Sequence, residues 1–394
     1  MSDEPLPTSP QNAIEQQVWN SLARVIDPEI HRPITELGMV DRVRVSDQGV
    51  ADVSLKLTIA GCPAARRIES DVTEATLGTA GVSEAQIDVG VMNREERQAF
   101  IELVRGSGRP MQFGPDSLTR VITVTSGKGG VGKSSLTASL AVSLAAQGLT
   151  VGLVDADVFG FSIPGIMGLS KDGVTEAPTR VGDMILPPEA HGVRVISIGM
   201  FLGDADPRST AVSWRGPMLH RTIEQFLRDV WFGDLDVLLL DLPPGTGDVA
   251  ISVGQLLPQA EVLVVTTPQE AAADVAVRSA LVARQTGQKV VGVIENMAGL
   301  IQPDGSVLEI FGSGGGKAVV DRLNASESAE GQQAVRLLGS VPLSPQFREG
   351  GDGGTPTVLS HPEDPAAVEI IRIAREIAAQ GRGLAGKSLG LSPT

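Results

Sequence analysis

One glycine-rich segment, Gly127–Ser135, carries the side chains and backbone amides best suited to holding phosphate. It matches G-x-x-x-x-G-K-[ST], in which glycines let backbone amides turn toward phosphate oxygens at a helix N-terminus. Lys133 is expected to reach the β- and γ-phosphates of a nucleotide, and Ser134 to ligate Mg²⁺. A chance match is the alternative, but the strand Val121–Thr125 before the loop and the helical pattern Leu136–Gln147 after it favour the site. The predicted nucleotide-binding residues of the loop are Gly127, Lys128, Gly129, Gly130, Val131, Gly132, Lys133, Ser134 and Ser135.

A carboxylate stands at the end of a second apolar strand. Asp241 follows Val237–Leu240, where such NTPases place an aspartate on the magnesium side of the nucleotide. A plain turn residue at the strand end is the weaker alternative. In the Pro-Pro-Gly turn that follows, the Gly245 amide is predicted to sense a γ-phosphate. Asp248 precedes the helical stretch Val249–Leu257 and is predicted to cap its N-terminus.

Two further carboxylates, Asp155 and Asp157, follow the strand Val151–Val154. An acidic pair there can orient Mg²⁺ and the attacking water, because ATP hydrolysis depends mainly on positioning and charge stabilisation. For Asp155 an Asx turn is an equal alternative. Asp157 is therefore the predicted catalytic carboxylate.

Composition restricts the classes of partner. A formal charge of −15 disfavours a general phosphate-backbone binder. Aromatic residues are few, with 9 Phe, 3 Trp and no Tyr, which argues against stacking platforms for single-stranded nucleic acid. We therefore expect no nucleic-acid partner, and we expect bound phosphate to occupy a local pocket.

Cys62 is the only cysteine, which excludes an intramolecular disulfide and any zinc site that needs two thiolates from one chain. The first residues lack the basic start and apolar stretch of a secretion signal. No apolar run approaches the ~20 residues needed to span a bilayer. We therefore expect a cytoplasmic protein with no membrane partner.

The N-terminal part reads as a small α+β domain, 13–105, after a disordered start, 1–12. Apolar spacing predicts a helix over Ala13–Ile26 and another over Ala64–Leu77. The predicted strands are Val50–Ile59 and Gln86–Val91.

The rest of the chain reads as an α/β P-loop NTPase domain, 118–381, with a mainly parallel sheet flanked by helices. A glycine- and proline-containing linker, 106–117, precedes it, and a flexible tail, 382–394, follows it. Residues 158–213 are less regular and are interpreted as an insertion. The predicted strands are Val121–Thr125, Val151–Val154, Val237–Leu240, Val262–Thr266, Val290–Ile294 and Leu337–Val341.

Lys128 is an extra lysine near the start of the loop, and Lys128–Ser134 resembles the deviant Walker A loop of the MinD/ParA group. In that group the early lysine crosses a nucleotide-sandwich dimer to touch the partner's phosphates; a solvated surface lysine is the alternative. Within the group, the sequence resembles the Mrp/ApbC iron–sulfur cluster carrier family. The segments that carry this resemblance are Asp155–Asp157, Trp214–Met218, Asp241–Asp248, Glu295–Met297 and Phe311–Gly316.

The resemblance implies an ATP-hydrolysing homodimer that transfers iron–sulfur clusters to apo iron–sulfur proteins, with cluster scaffold proteins as further partners. ATP and Mg²⁺ are the implied cofactors, and an iron–sulfur cluster is the candidate cargo. Lys128, Lys133 and Asp157 are the implied catalytic residues. Asn296 would hydrogen-bond the adenine edge, and a loop at Pro342 would close over the base.

The N-terminal unit resembles a small metal–sulfur assembly domain often fused to these ATPases, over nearly all of residues 13–105. The matching segments are Asp27–Ile30, Leu37–Val40 and Thr58–Pro63.

One departure from the family concerns the cluster. Many members carry a Cys-x-x-Cys pair soon after the Asn-Met segment, whereas Ala298–Gly305 contains no thiol here. Clusters are usually held by four cysteines, and a dimer of this chain supplies only its two copies of Cys62. Cys62 is therefore the candidate cluster ligand, completed by non-cysteine or external thiol groups. A family ATPase that no longer carries a cluster is the alternative.

Local features around Cys62 predict a lowered thiol pKa. Pro63 suits the first position of a helix, and Arg66 and Arg67 fall in its first turn. A helix N-terminus and nearby cations both favour the thiolate. A small buried residue at a strand–helix corner is the alternative.

Two other functions compete with the cluster carrier. A MinD/ParA-like positioning switch on a membrane or DNA is disfavoured because the helical stretch Ala366–Gln380 has no basic face. An ATP-using ligase or kinase would need a second substrate pocket, which the sequence does not identify.

Overall fold

The computed structural model describes residues 10, 12–106, 112–114, 116–157, 160–171, 174–201, 216–326 and 333–380, with 216–219 described by their backbone alone. The predictions for the tail 382–394, for nearly all of the start 1–12 and for half of the linker 106–117 lie outside the described residues. The same holds for the side chains of the Trp214–Met218 segment.

The structure contains the following elements. The first are α1 (Ala13–Leu22), β1 (Val40–Val45), β2 (Val50–Leu57), α2 (Ala65–Leu77), β3 (Glu84–Val91) and α3 (Arg94–Arg105). Next are β4 (Arg120–Ser126), α4 (Lys133–Ala145), β5 (Val151–Asp155), α5 (Ser162–Ile166), β6 (Ser170–Lys171), β7 (Val174–Thr175), β8 (Thr179–Val181), β9 (Met184–Leu186), β10 (Glu189–Ala190), β11 (Val193–Ser197) and a 3₁₀ turn (Ile198–Phe201). The last are α6 (Gly216–Asp229), β12 (Val237–Asp241), α7 (Asp248–Leu256), β13 (Glu261–Thr266), α8 (Glu270–Gln285), β14 (Lys289–Ile301), β15 (Val307–Leu308), α9 (Gly315–Ala325), β16 (Leu337–Leu343), α10 (Pro345–Asp352), α11 (Thr357–Ser360) and α12 (Pro365–Ala379). None of the helices in the described ranges is long and apolar enough to cross a membrane.

The chain forms two compact units. Unit 1 contains the described residues before 107 together with Thr179–Leu186 and Asp229–Gly233, and unit 2 contains the rest. The domain boundaries predicted from the sequence did not assign these two later segments to the N-terminal unit. The contacts that place them there join residues that are far apart in the sequence.

Unit 2 is built on a sheet in the order β10-β11-β5-β12-β4-β13-β14-β15, with β16 also paired to β14. Only the pairs β10–β11 and β14–β15 are antiparallel. The central strands are buried along their whole length, as strands covered by helices on both faces must be. The α/β fold with a mainly parallel sheet is therefore confirmed. The strand β11 was not predicted, since it lies inside the stretch interpreted as an irregular insertion.

Parallel strands bring their carboxyl ends to one edge of a sheet, which is where α/β proteins bind ligands. In unit 2 the strands β4, β5 and β12 are neighbours in parallel register. Their ends therefore bring Ser126, Asp155 and Asp241 to the same edge.

Unit 1 has a three-stranded sheet in the order β1-β2-β3, antiparallel and then parallel. Burial alternates along β2, so one face of the strand packs on the helices. A capping box between Asn93 and Glu96 starts α3, which the sequence patterns did not reveal. The helix predicted from Ala64 begins at Ala65, and the one predicted to reach Ile26 ends at Leu22.

The β8–β9 hairpin completes the core of unit 1. Val181, Met184 and Leu186 are buried in the same apolar cluster as Leu55 and Ile68. Burial of each such side chain stabilises the folded unit by roughly 1.5–3 kcal/mol. The hairpin is thus a structural part of unit 1, although the chain reaches it only after β5 of unit 2.

Candidate nucleotide site

The glycine-rich loop lies between the end of β4 and the start of α4 at Lys133, earlier than the predicted Leu136. Gly130 and Gly132 have φ of 79° and 77°, a left-handed backbone that costs glycine little and other residues more. A Cβ at Gly132 would lie 2.3 Å from Nδ2 of Asn296. The glycines are therefore required by backbone shape and by close packing.

Neighbouring elements anchor the loop at its start and in its middle. A Cβ on Gly127 would lie 2.3 Å from the backbone nitrogen of Ala276, so this glycine allows the loop to pack directly on α8. Nδ2 of Asn296 donates to the carbonyl of Val131 at 2.9 Å. Asn296 is only 2% exposed, so this bond fixes the loop from inside the protein.

Asp241 organises the polar centre of the site. Its carboxylate is fully buried, and Nζ of Lys133 lies 2.7 Å from Oδ1. Ser134 Oγ donates to Oδ2 at 2.6 Å, and Thr137 Oγ1 donates to Oδ1 at 3.0 Å. Burial raises the pKa of Asp241, and the Lys133 ammonium and the two hydroxyls oppose that rise. Thr137 was not predicted as a site residue, although its position one helical turn after Lys133 was a usable signal.

The oxygen atoms of Ser134 and Asp241 suit a magnesium ion. They lie within hydrogen-bonding distance of each other, and Mg²⁺ prefers carboxylate and other oxygen ligands beside phosphate. The structure therefore brings together the two residues that the sequence assigned to the metal.

The two aspartates after β5 have different surroundings. Asp155 is fully buried and accepts hydrogen bonds from Ser197 Oγ at 2.9 Å and from the Asp157 amide at 3.1 Å. Burial, and then the nearby Asp241 carboxylate, raise the pKa of Asp155 to about 8. The bond to the Asp157 amide is the Asx turn that the sequence left open.

Asp157 lies beside the loop. It lines a cavity of about 250 Å³ together with Lys128, Lys133 and Pro244. The loop residues Gly129, Gly130, Val131, Gly132, Ser134 and Ser135 also line this cavity. Asp157 is 9% exposed, and its Oδ1 accepts the Gly160 amide at 3.1 Å. The predicted phosphate loop and the predicted catalytic carboxylate therefore surround the same space.

Lys128 is held within its own chain. Its Nζ donates to Oε1 of Gln269 at 2.6 Å, and the side chain is half-buried. Gln269 is the residue before α8, and no sequence pattern predicts its contact with Lys128. Lys128 is thus neither a free surface lysine nor directed at Asp241.

The Gly245 amide is already engaged. It donates to the carbonyl of Ser126 at 2.8 Å, and Ser279 Oγ donates to the Gly245 carbonyl at 3.2 Å. Contact between this amide and a γ-phosphate would therefore require that the bond to Ser126 be exchanged.

Two local predictions near the site are wrong. Asp248 is the first residue of α7 and Gly247 is its cap, with no side-chain capping bond. Pro342 lies within β16 and not in a loop, because β16 continues to Leu343. Asp248 is exposed and does not line the cavity.

The predicted low pKa of Cys62 is also wrong. The thiol belongs to unit 1, is 8% exposed and precedes a helix that begins at Ala65 rather than at Pro63. Burial raises the pKa of Cys62, the Glu29 carboxylate raises it further, and the helix amides offset only part of this. Among the described residues no three His, Cys, Asp or Glu side chains are grouped to hold a metal ion.

The chain matches two protein families. Residues 117–378 match the family described as NUBPL iron-transfer P-loop NTPase, and residues 15–89 match the one described as iron-sulfur cluster assembly protein.

Similar proteins span almost the whole length. A Mycobacterium tuberculosis protein named iron-sulfur cluster carrier protein is 52% identical over 380 residues, covering 96% of this chain and 96% of the relative. A Deinococcus radiodurans protein of the same name is 41% identical over 361 residues, covering 91% of this chain and 93% of the relative. The solved structure of a nucleotide-binding protein from Archaeoglobus fulgidus, in complex with ADP, is 33% identical. It covers 60% of this chain and 86% of its own, with a TM-score of 0.48.

Proposed function

The chain belongs to the NUBPL-type family of iron-transfer P-loop NTPases, and we propose that it is an ATP-hydrolysing iron–sulfur cluster carrier that works as a homodimer. The observation that supports ATP chemistry best is the convergence of Lys133, Ser134 and Asp241 at the end of the loop. The relatives that match almost the whole chain are named iron-sulfur cluster carrier proteins, which supports an iron–sulfur cluster as the cargo.

Lys133 and the loop amides would bind the triphosphate. The Lys133 ammonium, now 2.7 Å from Asp241, would turn toward the β- and γ-phosphate oxygens. Charge-assisted bonds to phosphate are about twice as strong as neutral ones. The start of α4 adds positive dipole charge at the same place.

Ser134 and Asp241 would hold Mg²⁺, whose role when bound is to neutralise charge on the β- and γ-phosphates. Thr137 would keep the Asp241 carboxylate oriented through its 3.0 Å hydrogen bond. A fixed carboxylate loses less entropy when it binds a metal than a mobile one does.

Asp157 would orient the water that attacks the γ-phosphate. The Gly160 amide fixes one carboxylate oxygen, and Ile166 and Pro244 line the same cavity as Asp157. Positioning of this kind is the main protein contribution to phosphoryl transfer.

Lys128 would act on the nucleotide of a second protomer. Its half-buried ammonium lies at the cavity and is held by the neutral amide of Gln269. A neutral partner competes less strongly for an ammonium than a phosphate does. The homodimer therefore requires Lys128 to exchange Gln269 for a phosphate oxygen of the partner's nucleotide.

Asn296 and Pro342 would contact the adenine. The Asn296 amide nitrogen bonds Val131, so its carbonyl oxygen is the atom able to accept from the adenine amino group. Pro342 lies in β16, which pairs with β14 beside Asn296.

The proposed cargo is an iron–sulfur cluster, delivered to apo iron–sulfur proteins and received from scaffold proteins in the cytoplasm. A single cysteine per chain is consistent with a reducing compartment. Cys62 is the proposed ligand, with external thiols completing the set. The burial and raised pKa of Cys62 favour one second candidate, a family ATPase whose cargo is held by a partner protein.

Anaerobic reconstitution tests the cargo. Wild type and Cys62→Ser are incubated with iron, sulfide and a small thiol, and iron content, visible absorption and transfer to an apo-ferredoxin are measured. The carrier proposal expects a cluster on wild type, loss of it in Cys62→Ser, and transfer to the acceptor. A cluster retained by Cys62→Ser would remove Cys62 from the site, and no cluster on either protein would favour the second candidate.

A further inference from the structure

The chain between Asp157 and Ser197 leaves the nucleotide site and returns to it. Asp157 lines the cavity beside the loop. At the other end, Ser197 Oγ donates to Oδ2 of Asp155 at 2.9 Å, and both residues are fully buried. Between these two anchors lies the Thr179–Leu186 hairpin, which belongs to unit 1.

A second segment makes a similar connection. The Trp231 amide donates to the Ile185 carbonyl of the hairpin at 2.8 Å, and the Trp231 side chain is 9% exposed in the core of unit 1. The chain then continues into β12, which ends at Asp241. The strand that ends at Asp241 therefore starts shortly after a segment built into unit 1, whereas the chain that leaves Asp155 reaches the hairpin by way of α5, β6 and β7.

The hairpin reaches the surroundings of Cys62. Thr179 Oγ1 donates to Oε1 of Glu29 at 2.8 Å. The negative charge of the Glu29 carboxylate contributes to the raised pKa of the Cys62 thiol. Cys62, Val181 and Met184 belong to one buried cluster. Because Cys62 is only 8% exposed, full access of a reagent to the thiol requires this core to open, and the hairpin supplies part of the core.

We propose that the Thr179–Leu186 hairpin couples the nucleotide site to the core around Cys62, so that bound Mg·ATP slows the openings that expose the thiol. The coupling rests on the proposed ATP site. A ligand that binds only the closed form raises the ratio of closed to open molecules by a factor of one plus the ratio of ligand concentration to Kd. Nucleotide that fixes Asp157 and Asp241 therefore restrains both segments that anchor the hairpin.

The alkylation rate of Cys62 measures these openings, and the absence of any other cysteine makes the label unambiguous. The full chain is treated with iodoacetamide with and without Mg·ATP, and ATP binding is measured separately by calorimetry. At about 100 times the Kd, complete coupling would slow alkylation about 100-fold, and we expect at least about threefold. Lys133→Ala should remove the effect.

Two matched threonine substitutions test whether the hairpin carries the coupling. Thr179→Val removes the hydroxyl that bonds Glu29, and we expect it to keep ATP affinity while losing most of the protection of Cys62. Thr175→Val removes a hydroxyl of the same kind that pairs with Ser170 in unit 2, and we expect it to keep the protection.

The outcomes separate the coupling from the proposed function. If ATP does not bind, the proposed ATP site is wrong. If ATP binds and the wild-type alkylation rate is unchanged, or if Thr179→Val keeps full protection, the coupling is wrong and the ATP site stands.

Discussion

The ammonium of Lys133 lies 2.7 Å from the Asp241 carboxylate, and both side chains are almost wholly buried. The lysine proposed to bind phosphate is thus paired with the carboxylate proposed to bind magnesium. Because a nucleotide with Mg²⁺ brings both an anion for the lysine and a cation for the carboxylate, binding can exchange this one ion pair for two.

Breaking this pair should destabilise unit 2. Lys133→Met leaves a buried carboxylate without its counter-charge, and the loss is roughly 3–5 kcal/mol for such pairs. Urea unfolding measures the free energy. The double variant Lys133→Met/Asp241→Asn removes both charges and should recover most of the loss. Equal instability of the single and double variants would show that packing, not charge, stabilises the site.

Asp157→Ala should separate binding from turnover. We expect ATP affinity close to that of wild type and a rate of phosphate release lower by roughly 10²–10⁴, the usual contribution of a positioned acid–base group. Asp248→Ala is the control, since Asp248 is exposed at the start of α7 and does not line the cavity. Turnover retained by Asp157→Ala would assign the water to another residue.

The strand–loop–helix arrangement around the glycine-rich segment could be predicted from the sequence, and the roles proposed for Lys133 and Ser134 rest on that contiguous pattern. The contacts that support the loop could not be predicted. The contacts of Lys128 with Gln269 and of Asn296 with Val131 join positions more than a hundred residues apart, so no local pattern carries them.

The wrong pKa direction for Cys62 and the failure to assign the hairpin to unit 1 have the same cause: both depend on tertiary packing. A helix terminus and two arginines are visible in the sequence, but desolvation of the thiol depends on the folded core. The apolar residues of the Thr179–Leu186 hairpin are buried, but no local pattern shows that they pack in unit 1, because that packing joins residues remote in sequence.

Mixing two inactive variants should restore activity if each site uses residues of both protomers. Lys128→Ala should retain its fold and ATP affinity while losing turnover. In a heterodimer of Lys128→Ala with Asp157→Ala, one of the two sites has both wild-type residues. Random pairing in an equimolar mixture then predicts about a quarter of wild-type activity. No recovery in a mixture that forms heterodimers, or full activity of a monomer, would contradict the shared site.

The Cys62 thiol should be slow to react at neutral pH. Its raised pKa lowers the thiolate fraction, so the rate of alkylation should continue to rise above about pH 8.5, the ordinary pKa of a thiol. Glu29→Gln removes a nearby negative charge and should shift the pH profile to lower pH. Glu36→Gln is the control, because Glu36 is an exposed partner of Arg32. A profile below that of a free cysteine peptide would contradict the structure.

Calorimetric titration of Mg·ATP into the full chain, compared between variants of the two lysines of the loop, tests the proposed ATP site. We expect saturable, Mg²⁺-dependent binding by wild type and by Lys128→Ala, and no detectable binding by a folded Lys133→Ala. Wild-type ATP affinity in Lys133→Ala, or no binding by wild type, would contradict the ATP site on which the proposed function depends.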